Sequence, residues 1–384
     1  MADGGMQGMM ETPGADAGMR SMKEAHQADA GMRGAREATV TDAVTGVMTK
    51  AVTDPYQRPL RDLRISVTDR CHFRCTYCMP RERFGDDHPF LPERDLLTFG
   101  EIGRLARLFA SLGVRNIHLT GGEPLLRRDL DELIRRLAAV DGIEDIALTT
   151  NGHLLHHHAR RLYEAGLRRV NISLDALDPD IFGRMNGRGI GPERILANID
   201  LAREIGFEVK VNMVVQRGVN EGEIIPMAEY FRKRGITLRF IEFMDVGNDI
   251  GWSREKVVTK REMLELLGRA HELKPEGRSR CGEVAEYYRY VNSGGRIGFI
   301  TSVSESFCST CTRARLSSDG KLFTCLFASE GFDLRAMLRG GASDDEIREA
   351  VVRVWTRRTD RYSDERAALA GLRRRKVDMS YIGG

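Results

Sequence analysis

Six short β-rich runs, each followed by an amphipathic stretch, constrain this chain more than any other feature. The runs are Leu63–Val67, Asn116–Thr120, Asp145–Thr150, Val170–Leu174, Glu208–Val215 and Thr237–Phe243. Between them lie Glu101–Leu112, Asp129–Val140, Leu155–Ala165, Pro192–Ile205 and Glu223–Arg234. Several of these stop at a glycine (Gly113, Gly166, Gly206, Gly235), the residue favoured just past a helix C-terminus. Repeated strand–helix units predict an α/β chain with a parallel sheet and helices outside it. Six units suit a doubly wound sheet or an open, partial (β/α) barrel, and periodicity alone does not choose between them.

Unusual polar strings sit where the predicted strands end. They are Thr68-Asp69-Arg70-Cys71, Thr120-Gly121-Gly122-Glu123, Thr149-Thr150-Asn151-Gly152, Ser173-Leu174-Asp175 and Glu242-Phe243-Met244-Asp245. In parallel α/β architectures the C-terminal strand ends carry the ligand site, so this chemistry is expected at one edge. After Gly247 the rhythm loosens. The expected division is a disordered extension over 1–50, a barrel over 51–247 and a smaller region over 248–384. The extension is rich in Gly, Ala and Met, and Ala-Asp-Ala-Gly-Met-Arg occurs there twice, from Ala15 and from Ala28. It is expected to be dispensable, with Met48 as an alternative start.

A length of 384 residues with 41% apolar content can bury a sizeable core. The net charge of +3 argues against a general binder of nucleic acids or membrane surfaces. No apolar run approaches the ~18 residues of a membrane span. The first thirty residues are acidic and lack an apolar block, so a cytoplasmic protein is expected.

The seven cysteines fall into two triples, Cys71-Cys75-Cys78 and Cys308-Cys311-Cys325, with Cys281 alone. In a reducing cytoplasm such clusters read as metal ligands before disulfides. Three close thiolates leave one iron of a 4Fe–4S cubane open to a substrate or cofactor. Structural zinc would want a fourth ligand, for which His72, or Cys281 or His271 at the second triple, are the alternatives. Arg313 and Arg315 follow Cys311, share one face of an extended strand, and suit phosphate through bidentate hydrogen bonding. His156-His157-His158 open a predicted helix, where adjacent positions do not share a face, and read as solvated.

The cysteine loop with Tyr77, followed by Thr120-Gly121-Gly122-Glu123-Pro124, resembles the radical S-adenosylmethionine superfamily. That resemblance implies a partial TIM-type barrel, (β/α)6, and a 4Fe–4S cluster whose open iron chelates S-adenosylmethionine. Cleavage of that cofactor gives a 5′-deoxyadenosyl radical that abstracts hydrogen. Leu63-Arg64-Ile65-Ser66, Phe307-Cys308-x-x-Cys311-Thr312-Arg313-x-Arg315 and the terminal Gly383-Gly384 are similar to the GTP 3′,8-cyclase family of molybdenum cofactor biosynthesis, over roughly residues 55 to 384. The resemblance implies a second 4Fe–4S cluster in the C-terminal region, its open iron binding the guanine base. It implies cofactor contacts from Tyr77, Gly122, Ser173 and Met244, and substrate contacts from Arg64, His118, Thr149, Lys210 and Arg313-Ala314-Arg315. Arg313, Arg315, Gly383 and Gly384 would serve catalysis, with the tail reaching into the site and Arg373-Arg374-Arg375-Lys376 drawing it toward a triphosphate. GTP as substrate, a flavodoxin- or ferredoxin-like electron donor, and cyclic pyranopterin monophosphate synthase as the next enzyme are the implied partners; a homodimer is left open.

Departures from the pattern are His118, where the family usually has arginine, and Thr312 and His72, where it commonly has asparagine. A charged imidazole at His118 would make substrate binding weaken as pH rises past ~6.5. A peptide-modifying radical maturase and a non-catalytic iron–sulfur or zinc redox sensor are the rival readings.

Overall fold

The computed structural model describes residues 51–369 apart from 249 and 293, residues 376–384, and two short paired strands, Val40–Thr41 and Met48–Thr49. The rest of the expected extension, its repeated string, and Arg373 to Arg375 lie outside the described residues. All six expected strands form: β1 (Asp62–Ser66), β2 (Asn116–Thr120), β3 (Asp145–Thr150), β4 (Arg169–Ser173), β5 (Glu208–Val215) and β6 (Thr237–Glu242). The C-terminal region adds β7 (Leu273–Gly277), β8 (Ala285–Tyr290), β9 (Arg296–Ile300), β10 (Arg313–Leu316), β11 (Lys321–Phe323) and β12 (Phe332–Asp333).

These strands make one sheet in the order β12-β11-β10-β1-β2-β3-β4-β5-β6-β9-β8-β7. From β10 through to β9 every pairing is parallel, and the outer pairings are antiparallel. The sheet is an open barrel whose two flanks both come from the C-terminal region. That region therefore has no sheet of its own.

Strand alternation sorts side chains between two environments. Leu63, Ile65, Ile117, Leu119, Leu148, Val170, Ile172 and Val211 are buried in the main core. They meet helices α1 (Phe99–Ser111), α2 (Leu130–Ala138), α3 (Leu155–Glu164) and α4 (Glu193–Ile205), which contribute Leu105, Leu133, Leu162 and Ile199. Each such residue contributes about 1.5–3 kcal/mol by leaving water. The helix starts are set locally: Thr98 caps α1 with Glu101 returning the bond, and Ser343 and Glu346 do the same for α5 (Asp344–Thr356). Gly206 ends α4 at φ 109°, a conformation open to glycine. The alternate strand positions, Asp62, Arg64, Asn116, His118, Thr149, Arg169, Asn171, Lys210, Asn212 and Arg239, line the barrel interior. This interior is polar. A packed barrel core would fill it with branched apolar side chains.

Candidate active site

The interior holds a cavity of about 360 Å³, lined by all six cysteines of the two triples. Cys281 is exposed and does not line it. The first triple lies beyond the C-terminal end of β1, in a loop turned by the Cys78 and Met79 amides donating to the Cys75 carbonyl at 3.0 and 2.9 Å. Burial pushes the Cys71 thiol up to about 12, and it raises Cys75 and Cys78 as well. Soft, half-buried thiols facing one end of a cavity fit an iron–sulfur cluster, whose bound iron favours the thiolate. Among the described residues no three His, Cys, Asp or Glu side chains converge on a single-ion site. A cubane places its thiolates on separate irons.

The Gly121-Gly122 pair lines the cavity and also packs against the cysteine loop. A β-carbon on Gly121 would overlap the Thr68 carbonyl, and one on Gly122 the Arg70 carbonyl. The Gly122 and Glu123 amides donate to those same carbonyls at 2.8 and 2.7 Å, locking the glycine turn onto the cysteine loop. Glu123 is buried and accepts from Thr150 Oγ1 at 2.6 Å and from the Asn151 amide at 2.8 Å, which ties in the end of β3. Burial raises its carboxyl to about 7. Tyr77 donates to Asp175 Oδ2 at 2.7 Å, so the cysteine loop is also held to the end of β4. Tyr77, Gly122, Ser173 and Met244 all line this end of the cavity.

The second triple stands at the opposite end, which corrects the expectation of one chemical edge. Strand β10 is parallel to β1 with Arg313 beside Asp62 and Arg315 beside Arg64. Cys311 therefore precedes the level of Asp62, whereas Cys71 follows Ser66. At about 3.3 Å per residue the two loops are separated by the full strand length. Arg358, buried, donates to the Cys311 carbonyl at 2.8 Å and to its sulfur at 3.1 Å. Burial pushes the Cys311 thiol up, but Arg313 and Arg358 overcome it and bring it down to about 7. Arg58 donates to the Cys308 carbonyl at 2.9 Å. Burial holds Cys325 up at about 12.

Between the triples the wall is basic. Arg64, Lys210, Arg239, Arg313 and Arg315 face the cavity. Burial depresses the Arg64 and Arg239 guanidiniums, and Arg315 and Arg313 add to the effect on Arg64, more than Asp62 offsets: positive charges are crowded here. Arg239 is held by amide oxygens, Asn212 Oδ1 at 2.8 Å and Asn171 Oδ1 at 2.6 Å. Lys210 pairs with Glu208 at 2.9 Å. Ala314 does not belong to this wall: strand alternation turns it outward, fully buried in the core. Thr149 and His118 are hydrogen-bonded to each other at 2.6 Å. Burial, then Arg64, Arg169, Arg239 and Arg315, hold the His118 imidazole well below its usual value, so it is neutral where the sequence suggested a cation. The Thr312 hydroxyl donates to Asp62, and both ring nitrogens of His72 are buried without a protein partner. His156 and His157 are exposed, as expected, whereas His158 is half-buried.

The C-terminus enters this space. Arg83 pairs with Asp378 at 2.5 and 2.8 Å, Ile382 is buried, Arg315 donates to the Gly383 carbonyl and Arg64 to the Gly384 carbonyl at 2.6 Å. Gly383 has φ 74°, and a β-carbon there would overlap the Thr120 methyl. Alternation could have exposed Asn171 and Arg239 as interior residues, since each has an apolar neighbour on either side in its strand; Arg169 follows Arg168 and lacks that signal. No local signal marks Arg58 or Arg358 as neighbours of the second triple.

An open parallel barrel with a C-x₃-C-x₂-C loop at its strand ends defines a radical S-adenosylmethionine enzyme, and the Radical SAM superfamily model matches residues 65–231. A second model, Molybdenum Cofactor Synthesis C, matches residues 236–364. The GTP 3′,8-cyclase of Staphylococcus epidermidis is 56% identical over 340 residues, covering 88% of this chain and 100% of that protein. The GTP 3′,8-cyclase of Staphylococcus aureus has the same identity and coverage. The chain belongs to the GTP 3′,8-cyclase family. Among solved structures, Streptococcus suis SuiB shares the fold at TM-score 0.55 and 16% identity, over 79% of this chain and 68% of that one. Its S-adenosylmethionine complex gives 0.51 and 17%, over 79% and 66%.

Proposed function

We propose that this protein cyclises GTP to (8S)-3′,8-cyclo-7,8-dihydroguanosine 5′-triphosphate, the first step of molybdenum cofactor biosynthesis. The observation that carries the reading is a single basic cavity with a thiol triple at each end. Cys71, Cys75 and Cys78 would hold the 4Fe–4S cluster that the superfamily uses with S-adenosylmethionine. Cys308, Cys311 and Cys325 would hold a second. A cluster with three thiolate ligands keeps one iron for a ligand. Cluster and cofactor together supply a 5′-deoxyadenosyl radical able to remove the ribose 3′ hydrogen.

The chain's own part is binding, orientation and exclusion of water. Tyr77, Gly122, Ser173 and Met244 line the cofactor end. Arg239, Lys210 and Arg313 offer the triphosphate charge-assisted hydrogen bonds in a desolvated setting. Arg64 and Arg315 clamp the Gly383-Gly384 carbonyls beside the reacting space. A low-potential flavodoxin- or ferredoxin-like donor would reduce the enzyme, and cyclic pyranopterin monophosphate synthase would consume the product. A cytoplasmic setting, which would keep the cysteines reduced, fits this reading. No helix among the described residues is long and apolar enough to cross a membrane.

The test is anaerobic reconstitution followed by incubation with S-adenosylmethionine, dithionite and GTP. The expected outcome is 5′-deoxyadenosine and the cyclised nucleotide in equal amounts. In Cys75→Ala both should vanish while the second triple still binds iron. S-adenosylmethionine cleavage by Cys75→Ala at the wild-type rate would falsify the assignment.

A further inference from the structure

At the end that carries the second triple, the cavity is lined in part by Arg280, Gly282, Glu283 and Val284, from the connection between β7 and β8 (residues 278–284). This connection is anchored at Gly282. Its carbonyl accepts from Arg313 Nη1 at 2.7 Å, and its backbone lies so close to Thr312 that any β-carbon would overlap that side chain. The anchor aims Arg280 at the first residues of β1 and β2. Arg280 Nη1 donates to Asn116 Oδ1 at 2.8 Å, while Nη2 lies 3.8 Å from Asp62 Oδ1, beyond hydrogen-bond distance. Asp62 is already engaged, accepting from Asn116 Nδ2 at 2.9 Å and from the Thr312 hydroxyl.

Arg280 is thus a cavity-lining guanidinium whose one good hydrogen bond goes to a neutral amide, and whose side chain is 46% exposed. Such an arrangement contributes little to folding. It leaves a planar fork of donors able to receive an anion. The cations around it differ in how far they are already committed. Arg169 is paired with Asp145 and Lys210 with Glu208, while Arg64 and Arg315 hold the tail carbonyls. Arg239 and Arg280 both rest on asparagine oxygens, and together they mark a route for a chain of negative charge from the barrel interior to this floor.

We infer that Arg280 binds the outer phosphates of the nucleoside triphosphate, so that residues 278–284 set a preference for tri- over monophosphate. This rests on the GTP reading above. A phosphate reaching the floor exchanges the weak Asp62 contact for a charge-assisted pair, and no covalent step is involved.

The experiment measures equilibrium binding of GTP and GMP, and steady-state turnover of GTP, in the anaerobically reconstituted holoenzyme and its Arg280→Ala and Arg280→Lys variants. A lost charge-assisted contact should weaken GTP binding roughly tenfold or more. GMP affinity should change less than about twofold, and turnover at sub-saturating GTP should fall in step with the lost GTP affinity. Lysine, a point charge without the fork, should restore only part of the affinity. An unchanged ratio of GTP to GMP affinity in Arg280→Ala overturns the inference. So does an equal loss for both nucleotides, which would mean a structural role. If the unmodified holoenzyme binds neither nucleotide, the GTP reading itself fails, an outcome distinct from either of these.

Discussion

His118 Nε2 stands 2.6 Å from the Thr149 hydroxyl oxygen, so two residues expected to hold substrate also hold each other. Asn171 Nδ2 approaches the same nitrogen at 3.3 Å, and the strands bring these groups together because Arg64 is paired with His118 and Thr149 with Asn171. The imidazole is thereby a neutral spacer between arginines.

That neutrality has a measurable sign. A buried histidine whose value is depressed stays unprotonated in the folded state while the unfolded chain takes up a proton below ~6.5. Its contribution to stability is present above that pH and is lost as pH falls. His118→Gln should therefore flatten part of the fall in melting temperature between about pH 7 and pH 5. GTP affinity should not weaken from pH 6 to 8 on account of this residue. A His118-dependent loss of GTP binding over that range would restore the charged-imidazole reading.

Arg315 and Gly383 form one device, because the guanidinium donates to the glycine carbonyl. Deleting Gly383-Gly384 should abolish cyclised product while leaving iron content and S-adenosylmethionine binding intact. Gly383→Ala should mimic the deletion, since its φ of 74° and the Thr120 methyl leave no place for a β-carbon. Combining Arg315→Ala with the deletion should cost little more than either alone, as coupled residues do in a double-mutant cycle. Additive losses in the rate of product formation would show that the two act separately.

Arg358 touches Cys311 through both its carbonyl and its sulfur. Removing this buried cation should raise the Cys311 thiol and loosen whatever the second triple binds. In Arg358→Ala we expect iron content after reconstitution to fall toward half, with S-adenosylmethionine cleavage by the first loop retained. Full iron content at unchanged chelator resistance would reduce Arg358 to a packing residue.

Much of this protein was determined by local sequence. The strand–helix rhythm, the helix caps at Thr98 and Ser343 and both cysteine triples are legible because period 2, period 3.6 and ligand spacing are properties of neighbouring residues. Tertiary structure decided the rest. The two triples face each other across the cavity only because β10 pairs in parallel with β1, bringing Thr312 to Asp62 across 250 positions of chain. The same long-range pairing recruits Arg58 and Arg358 to the second triple and the Gly383-Gly384 tail to Arg64 and Arg315. Burial, which no single segment dictates, made His118 neutral, turned Ala314 into core and left a basic barrel interior open to an anion. Such effects depend on how many neighbours a group acquires and how much water it loses, quantities that exist only once the sheet has closed around it.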